Sequence, residues 1–145
     1  MIQVVQCDEL ELMEGWSEDD PGLRNRFAFP ISAETGASAS SVVYFEVQPR
    51  DHCGRHTHST EEVAVVLEGT AEIETEEGRY RLKRGALAHI PAFVAHDVNN
   101  VGEDTLRVVS VFASAAVVAK FEQPLAPIGE RIFVVGAPQR VPDTM

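Results

Sequence analysis

Cysteine is scarce in this chain: Cys7 and Cys53 are the two present, too few for a disulfide framework and consistent with reduced thiols. Stability must therefore come from packing. Basic side chains are also few. Twelve Lys and Arg stand against 23 Asp and Glu, a net charge of −11. Such a surface repels phosphate backbones and anionic bilayers, so neither nucleic acid nor membrane is expected as a partner. The plainer consequence of the acidity is solubility. Long apolar runs are missing too: the stretch from Val108 to Ala119 is broken by Ser110 and Ser114 and falls short of the roughly 20 residues that span a bilayer. The opening MIQVVQCDELELMEGW has no basic region followed by an apolar one, so it does not read as a secretory leader, and a cytoplasmic location is expected.

Helical periodicity is absent as well, along with internal repeats and low-complexity tracts. What is present is a series of short runs rich in Val, Ile, Phe and Tyr, bounded by Gly, Pro, Asn or Asp. They fall at Ser41–Gln48, Glu62–Leu67, Ala71–Thr75, Arg79–Lys83, Ala86–Ile90, His96–Val101, Thr105–Phe112 and Arg131–Val135. The segment AEIETEEGRYRL reads as a hairpin, with Glu72 and Glu74 set across from Arg79 and Arg81 on a solvated face. Residues 30–40, PISAETGASAS, read as a loop. Many short strands separated by turns predict an all-β sandwich or barrel. At 145 residues the chain has the length of a single domain.

One stretch carries chemistry. In HTHSTEEVAVVLEG, His56 and His58 share a strand face, and Glu62 keeps that parity if the chain between stays extended. Imidazole nitrogens with a carboxylate oxygen suit Fe, Mn, Ni, Zn or Co, and three ligands leave coordination positions open. Chance juxtaposition on a surface is the competing explanation. Against it, VAVVL is apolar on both faces, as in a strand buried on both sides, so polar groups at its mouth are expected to face a cavity.

Downstream, GALAHIPAFVAHDVNN places Gly85, Pro91, His96 and Asn100 in a second pattern. Together the two stretches resemble the paired signature motifs of the cupin superfamily, G(X)5HXH(X)3–4E(X)6G and G(X)5PXG(X)2H(X)3N. His56, His58, Glu62 and Gly69 stand at the first motif's spacing. Two positions depart from it: Arg50 occupies the opening glycine of the first motif, and Phe93 the glycine after the proline of the second. Phe93 is expected to alter that turn and to narrow the cavity mouth.

The resemblance implies an antiparallel jelly-roll (double-stranded β-helix) cupin barrel, one domain over residues 1–145 with its motif core at about 41–112. It implies one divalent transition metal ion per chain, held by His56, His58, Glu62 and His96. The function expected from it is that of a metalloenzyme acting on a small oxygenated organic molecule bound at the metal. Dioxygenase-like chemistry is the first reading, with Glu62 doubling as catalytic base. A metal-dependent isomerase or epimerase and a non-catalytic ligand-binding or sensor module are the alternatives. A metal that only braces the barrel fits less well, because structural sites tend to be closed.

Several neighbours of the motifs invite a role. Tyr44 and Glu46 share a parity that would let them offer a polar group to the cavity, and Val66, Phe93 and Phe112 are expected as its apolar walls. His52 reads as an exposed loop residue, His89 has no motif position, and Cys53 reads as a free loop thiol. The apolar VAVVL and the C-terminal RIFVVGA offer more hydrophobic face than one small barrel needs, so a homodimer is expected.

Overall fold

The structure, a computed structural model, describes residues 1–136. Its strands are β1 (Met13–Trp16), β2 (Arg24–Ile31), β3 (Ser41–Val47), β4 (His56–His58), β5 (Glu62–Glu68) and β6 (Ala71–Thr75), followed by β7 (Gly78–Leu82), β8 (Leu87–Ile90), β9 (Asp97–Asn100), β10 (Leu106–Phe112), β11 (Val117–Leu125) and β12 (Glu130–Val135). All of these strands pair antiparallel. One sheet runs β1-β2-β3-β10-β5-β8, and two smaller ones run β12-β11-β4 and β7-β6-β9. The smaller sheets are sewn together by backbone pairing: His56 N–H donates to His96 C=O at 2.9 Å, and His96 N–H returns the bond at 3.0 Å. The result is a two-faced antiparallel jelly roll, as the motifs led one to expect. No helix among the described residues is long and apolar enough to cross a membrane.

Two of the strands that periodicity missed, β2 and β11, have a common cause. Pro30 lies in β2 and Pro124 in β11, where each sits in a break of register, between Ala28 and Ile31 against β3 and between Lys120 and Leu125 against β12. A proline cannot donate to the ladder, so its strand tolerates it at an irregularity and loses its clean alternation there. The expected loop at residues 30–40 therefore begins two residues late. Pro30 and Ile31 close β2, and Ala33–Thr35 forms a 3-10 turn capped by the Ser32 side chain. The hairpin stands as read, with Glu72 opposite Arg81 and Glu74 opposite Arg79.

Strand parity sorts the interior. Along β5, Glu62, Ala64 and Val66 point inward and are buried, whereas Val63 is 38% exposed, so this strand is covered fully on one face and not, as expected, on both. Ala64 and Val66 pack with Val47, Ile73, Ile90, Val98, Leu106 and Val108 in the main core. Asn100 is a structural polar residue of that core. Its amide donates to the carbonyls of Val47 and Asp104, both at 2.8 Å, and its oxygen accepts from Gly102 N–H at 2.9 Å.

Arg50 and Phe93, the two residues that replace motif glycines, are the described non-glycine residues with positive φ, at 71° and 64°. Each is the third residue of a hydrogen-bonded turn: Asp51 N–H donates to Gln48 C=O, and Val94 N–H to Pro91 C=O. The backbone keeps the left-handed conformation without the residue that adopts it freely. Other contacts hold these turns in place, since Arg50 N–H reaches Asn100 C=O and Phe93 N–H reaches His58 C=O. Left-handed φ costs an L-residue about 1–2 kcal/mol, and glycine gives back about 0.5–1 kcal/mol as unfolded-state entropy. Arg50→Gly is therefore expected to raise stability by about 0.5–1 kcal/mol, and Phe93→Gly by a similar amount, measured by urea denaturation. A loss of stability in both would show that the side chains hold the turns.

Candidate metal centre

Three backbone facts bring the ligand-type side chains together. His56 and His58 alternate along β4 and so face one side. His96 enters through its direct backbone pairing with His56. Glu62, first residue of β5, points inward from the opposite sheet. The ligand nitrogens of His56, His58 and His96 lie within 4.8 Å of one another. Glu62 Oε1 stands 3.0 Å from His58 Nδ1 and 3.2 Å from His96 Nε2. His56, Glu62 and His96 are all buried, at 7%, 4% and 2% exposure.

The backbone orients two of the rings. His56 Nδ1 lies 2.6 Å from Gly54 C=O, and His96 Nδ1 lies 2.8 Å from Val94 C=O. A carbonyl can only accept, so both Nδ1 atoms carry the proton, and in the neutral form of each ring Nε2 keeps the lone pair. Aromatic packing fixes the rings further: Phe121 stacks on His56 at 4.6 Å between centroids, and Phe112 lies 4.7 Å from His58. Burial pushes His56 well below the usual histidine range, and the nearness of His96 and His58 adds to this. Burial would raise Glu62, but His58 and His96 outweigh it and hold the carboxyl below the usual range. For His96, burial acts downward and the Glu62 carboxylate overrides it, leaving a net rise.

The arrangement fits a metal ion. His58 Nδ1 and Glu62 Oε1 are buried without a hydrogen-bond partner. They stand 3.0 Å apart without forming a hydrogen bond. Buried polar atoms left this way are costly unless something else satisfies them. Ligands on adjacent octahedral positions about 2.1 Å from an ion stand about 3.0 Å apart, which is the spacing found between Glu62 and the two histidines. Neutral imidazoles and an ionised carboxylate are the protonation states that coordination requires.

These side chains open into a cavity of about 610 Å³ through the barrel. Val66 and Phe112 line it as expected; Phe93 does not. Phe93 is 71% exposed and borders an outer groove, because its φ turns the side chain away from the mouth. Tyr44 and Glu46 are likewise not on the cavity. Along β3, Val43 and Phe45 take the inward parity, and Tyr44 bonds Glu46 at 2.6 Å and receives Arg107 Nε at 2.7 Å on the other face. Burial and the Glu46 carboxylate push the Tyr44 phenol up to about 12.

His89 is exposed and pairs with Glu61 at 2.9 Å. Cys53 is a free thiol outside the strands, as expected, but a buried one that packs in the core and lines the cavity. Burial, aided by Asp97 and Glu62, pushes its pKa well up, which makes it inert.

His52 also departs from expectation. It is half-buried between two carboxylates, with Nδ1 2.7 Å from Asp97 and Nε2 3.0 Å from Asp20. Asp97 Oδ1 in turn accepts Gly54 N–H at 2.9 Å, and Gly54 C=O is the acceptor of His56 Nδ1–H. A chain of contacts thus runs from His52 to a ligand ring. Sequence reading passed over Asp97 and Asp20. The available signal for Asp97 was its place next to His96, with one face of the strand already committed to the site.

Residues 43–112 match a family model described as Cupin domain. No curated protein matches the chain. Among solved structures, a polyketide cyclase, RemF, from Streptomyces resistomycificus is similar at 22% identity and TM-score 0.63, over 77% of this chain and 79% of that one. A putative sugar phosphate isomerase from Acidithiobacillus ferrooxidans is similar at 20% identity and TM-score 0.63, over 97% and 95%. A predicted oxalate decarboxylase from Thermotoga maritima is similar at 19% identity and TM-score 0.64, over 77% and 99%. At these identities the likeness establishes the fold, and the activities of these neighbours remain their own.

The Asp97 hydrogen bond, working against burial, lifts His52 from 6.5 to about 9. A raised folded-state pKa adds stability that is complete below the unfolded value and is lost as pH climbs through the folded one. Wild-type stability is therefore expected to fall between about pH 6.5 and pH 9 relative to His52→Gln. Thermal melts of both proteins across that range check this. Parallel pH profiles would rule out the charged His52.

Proposed function

Proceeding from this chain's being a small cupin-superfamily domain, we propose that it is a metalloenzyme that transforms an oxygenated organic molecule bound at one divalent transition metal ion. The observation that carries the reading is the convergence of His56, His58 and His96 in a buried cavity, with His58 Nδ1 and Glu62 Oε1 left unpartnered. His56, His58, Glu62 and His96 are the proposed ligands. An ion held there supplies Lewis acidity, and access to dioxygen chemistry if it is Fe, Mn or Ni.

The chain's own residues do the rest. His56 and His96 are locked by their Nδ1–H bonds, so their Nε2 lone pairs need no reorganisation. Glu62 Oε1 stands beside His58 and His96 and, once its carboxylate lets go of the ion, would accept a proton from a substrate hydroxyl or carbon acid made acidic there. Phe112 and Phe121 cover the rings and exclude water, which strengthens each electrostatic contact inside. An isomerase and a non-catalytic binding module share this site and differ in the fate of the bound molecule.

The test begins with elemental analysis. Wild type is expected to hold one ion per chain, and His58→Ala to bind it more weakly by more than the roughly 10–100-fold that loss of an outer-shell partner costs. Equal metal content would end the reading. Oxygen uptake and product analysis with each reconstituted metal then separate dioxygenase-like turnover from isomerisation. Tight metal-dependent binding with no turnover would indicate the binding module.

The same reading includes a homodimer. Val63, Val111 and Leu87 are exposed at 38%, 41% and 69% on the outward faces of β5, β10 and β8, which are adjacent strands. A two-fold related copy would present the same side chains in return, as an isologous contact requires. Light scattering is expected to give twice the 15.9 kDa chain mass. A monomer at all concentrations would refute this.

A further inference from the structure

The cavity above the metal cluster has a composition that selects its ligand. Six of the chain's seven phenylalanines line it: Phe27, Phe29, Phe45, Phe112, Phe121 and Phe133. Val43, Val66 and Val108 fill the wall between them. No lysine or arginine among the described residues lines it, although the chain carries twelve. Its charged members are acidic: Glu62 inside, and Glu14 and Glu34. Beyond the metal cluster, an anionic ligand would meet apolar wall and negative charge, with no cation to replace its lost hydration.

Size points the same way. A volume of about 610 Å³ lies in the range of roughly 300–1,000 Å³ that encloses drug-sized molecules, far more than a two-carbon acid needs. Water in such a space finds few polar partners, so an apolar guest displaces it at little cost. Phenyl rings from two of the three sheets favour flat aromatic guests through offset and edge-to-face contacts. At the mouth, Met13 and Ile128 line the cavity while remaining 51% and 57% exposed. Apolar side chains left in water at an opening fit the entry of an apolar molecule.

We propose that the site takes a neutral, hydrophobic molecule with two or more fused aromatic rings, its ring body held among the phenylalanines and a pair of adjacent oxygens directed at the histidine cluster. Dicarboxylates and phosphorylated sugars are excluded as its main ligands. This rests on the metal reading for the oxygen pair, and on the cavity alone for the ring body.

That division makes the two separable. The probes are 2,3-dihydroxynaphthalene, naphthalene, oxalate and glucose 6-phosphate, titrated by calorimetry and fluorescence against the full chain with metal stripped and with metal restored. The metal-free protein is expected to bind both naphthalenes with similar affinity and neither anion. Restored metal is expected to tighten the diol by about tenfold or more, a gain of ~1.4 kcal/mol, and to leave naphthalene unchanged. Val43→Trp, which fills the space, and Phe29→Ala, which removes a wall, are each expected to weaken both ring compounds by about tenfold. If one fails to fold, the other serves. Ring binding without any effect of metal would remove the metal reading and leave the cavity inference standing. Metal-dependent binding of oxalate or glucose 6-phosphate, with no ring compound bound in either form, would overturn the inference and leave the metal reading standing.

Discussion

The reciprocal backbone bonds between His56 and His96 are the interaction on which the rest depends. They are a single antiparallel bridge, yet they join two three-stranded sheets into one wall of the barrel. The same bridge sets two imidazoles side by side, at 4.4 Å between ring centroids. Closing the fold and assembling the site are therefore one event. A slip of one residue at this bridge would turn both side chains to the opposite face and open the wall. The ladder is reinforced beside it: Cys53 N–H donates to Val98 C=O, and Asn100 N–H to Asp51 C=O.

Around that bridge the polar groups form a support with little slack. Asp97 comes directly after His96 and, by alternation, faces away from the cluster, where it meets His52 and Gly54 N–H. Gly54 has φ of +99° and packs against Leu23 so closely that a Cβ there would lie 2.7 Å from its Cδ1. Only glycine lets the carbonyl at this point turn toward His56 Nδ1 while the chain stays against Leu23. The ring orientation of His56 thus traces back to a glycine conformation, a buried aspartate and a half-buried histidine. Hydrophobic packing alone would not choose that orientation.

Legibility in the sequence depended on what each residue's signal consisted of. His56, His58, Glu62 and His96 could be read because fixed spacing along strands translates into a shared face. β5, β6, β7 and β10 could be read because alternation or apolar runs survive in them. β2 and β11 could not, since Pro30 and Pro124 interrupt the pattern at breaks of register that only the partner strand reveals. Tyr44 and Glu46 went to the wrong face because nothing local distinguishes the inward parity of β3; its pairing with β10 decides it, where Tyr44 lies beside Val109 and Phe45 beside Val108. His52 looked like a loop histidine because its partners lie 32 and 45 residues away. Arg50 and Phe93 were visible as departures, and the structure shows the glycine-like backbone retained at both.

A barrel that keeps a cavity among its phenylalanines gives up contacts its core would otherwise make. Void lining loses dispersion partners, and a cavity costs about 24 cal/mol per Å³ when opened in a packed core. The barrel can carry this because its smaller end is closed separately: Ala71, Ile73 and Leu82 lie near the floor of the space while packing with Val47 and Leu106. The main buried cluster thus draws on β3, β5, β6, β7, β8, β9 and β10, and the other part of the cavity wall is left to the phenylalanines of β2, β11 and β12. The histidine cluster lies between these regions, where a bound ion would tie β4 and β9's approach to β5 across the barrel. An ion that binds the folded chain and not the unfolded one stabilises it by about 2.7 kcal/mol at a hundredfold excess over its dissociation constant. In this molecule the group proposed to do the chemistry would also brace the part of the barrel that the cavity weakens.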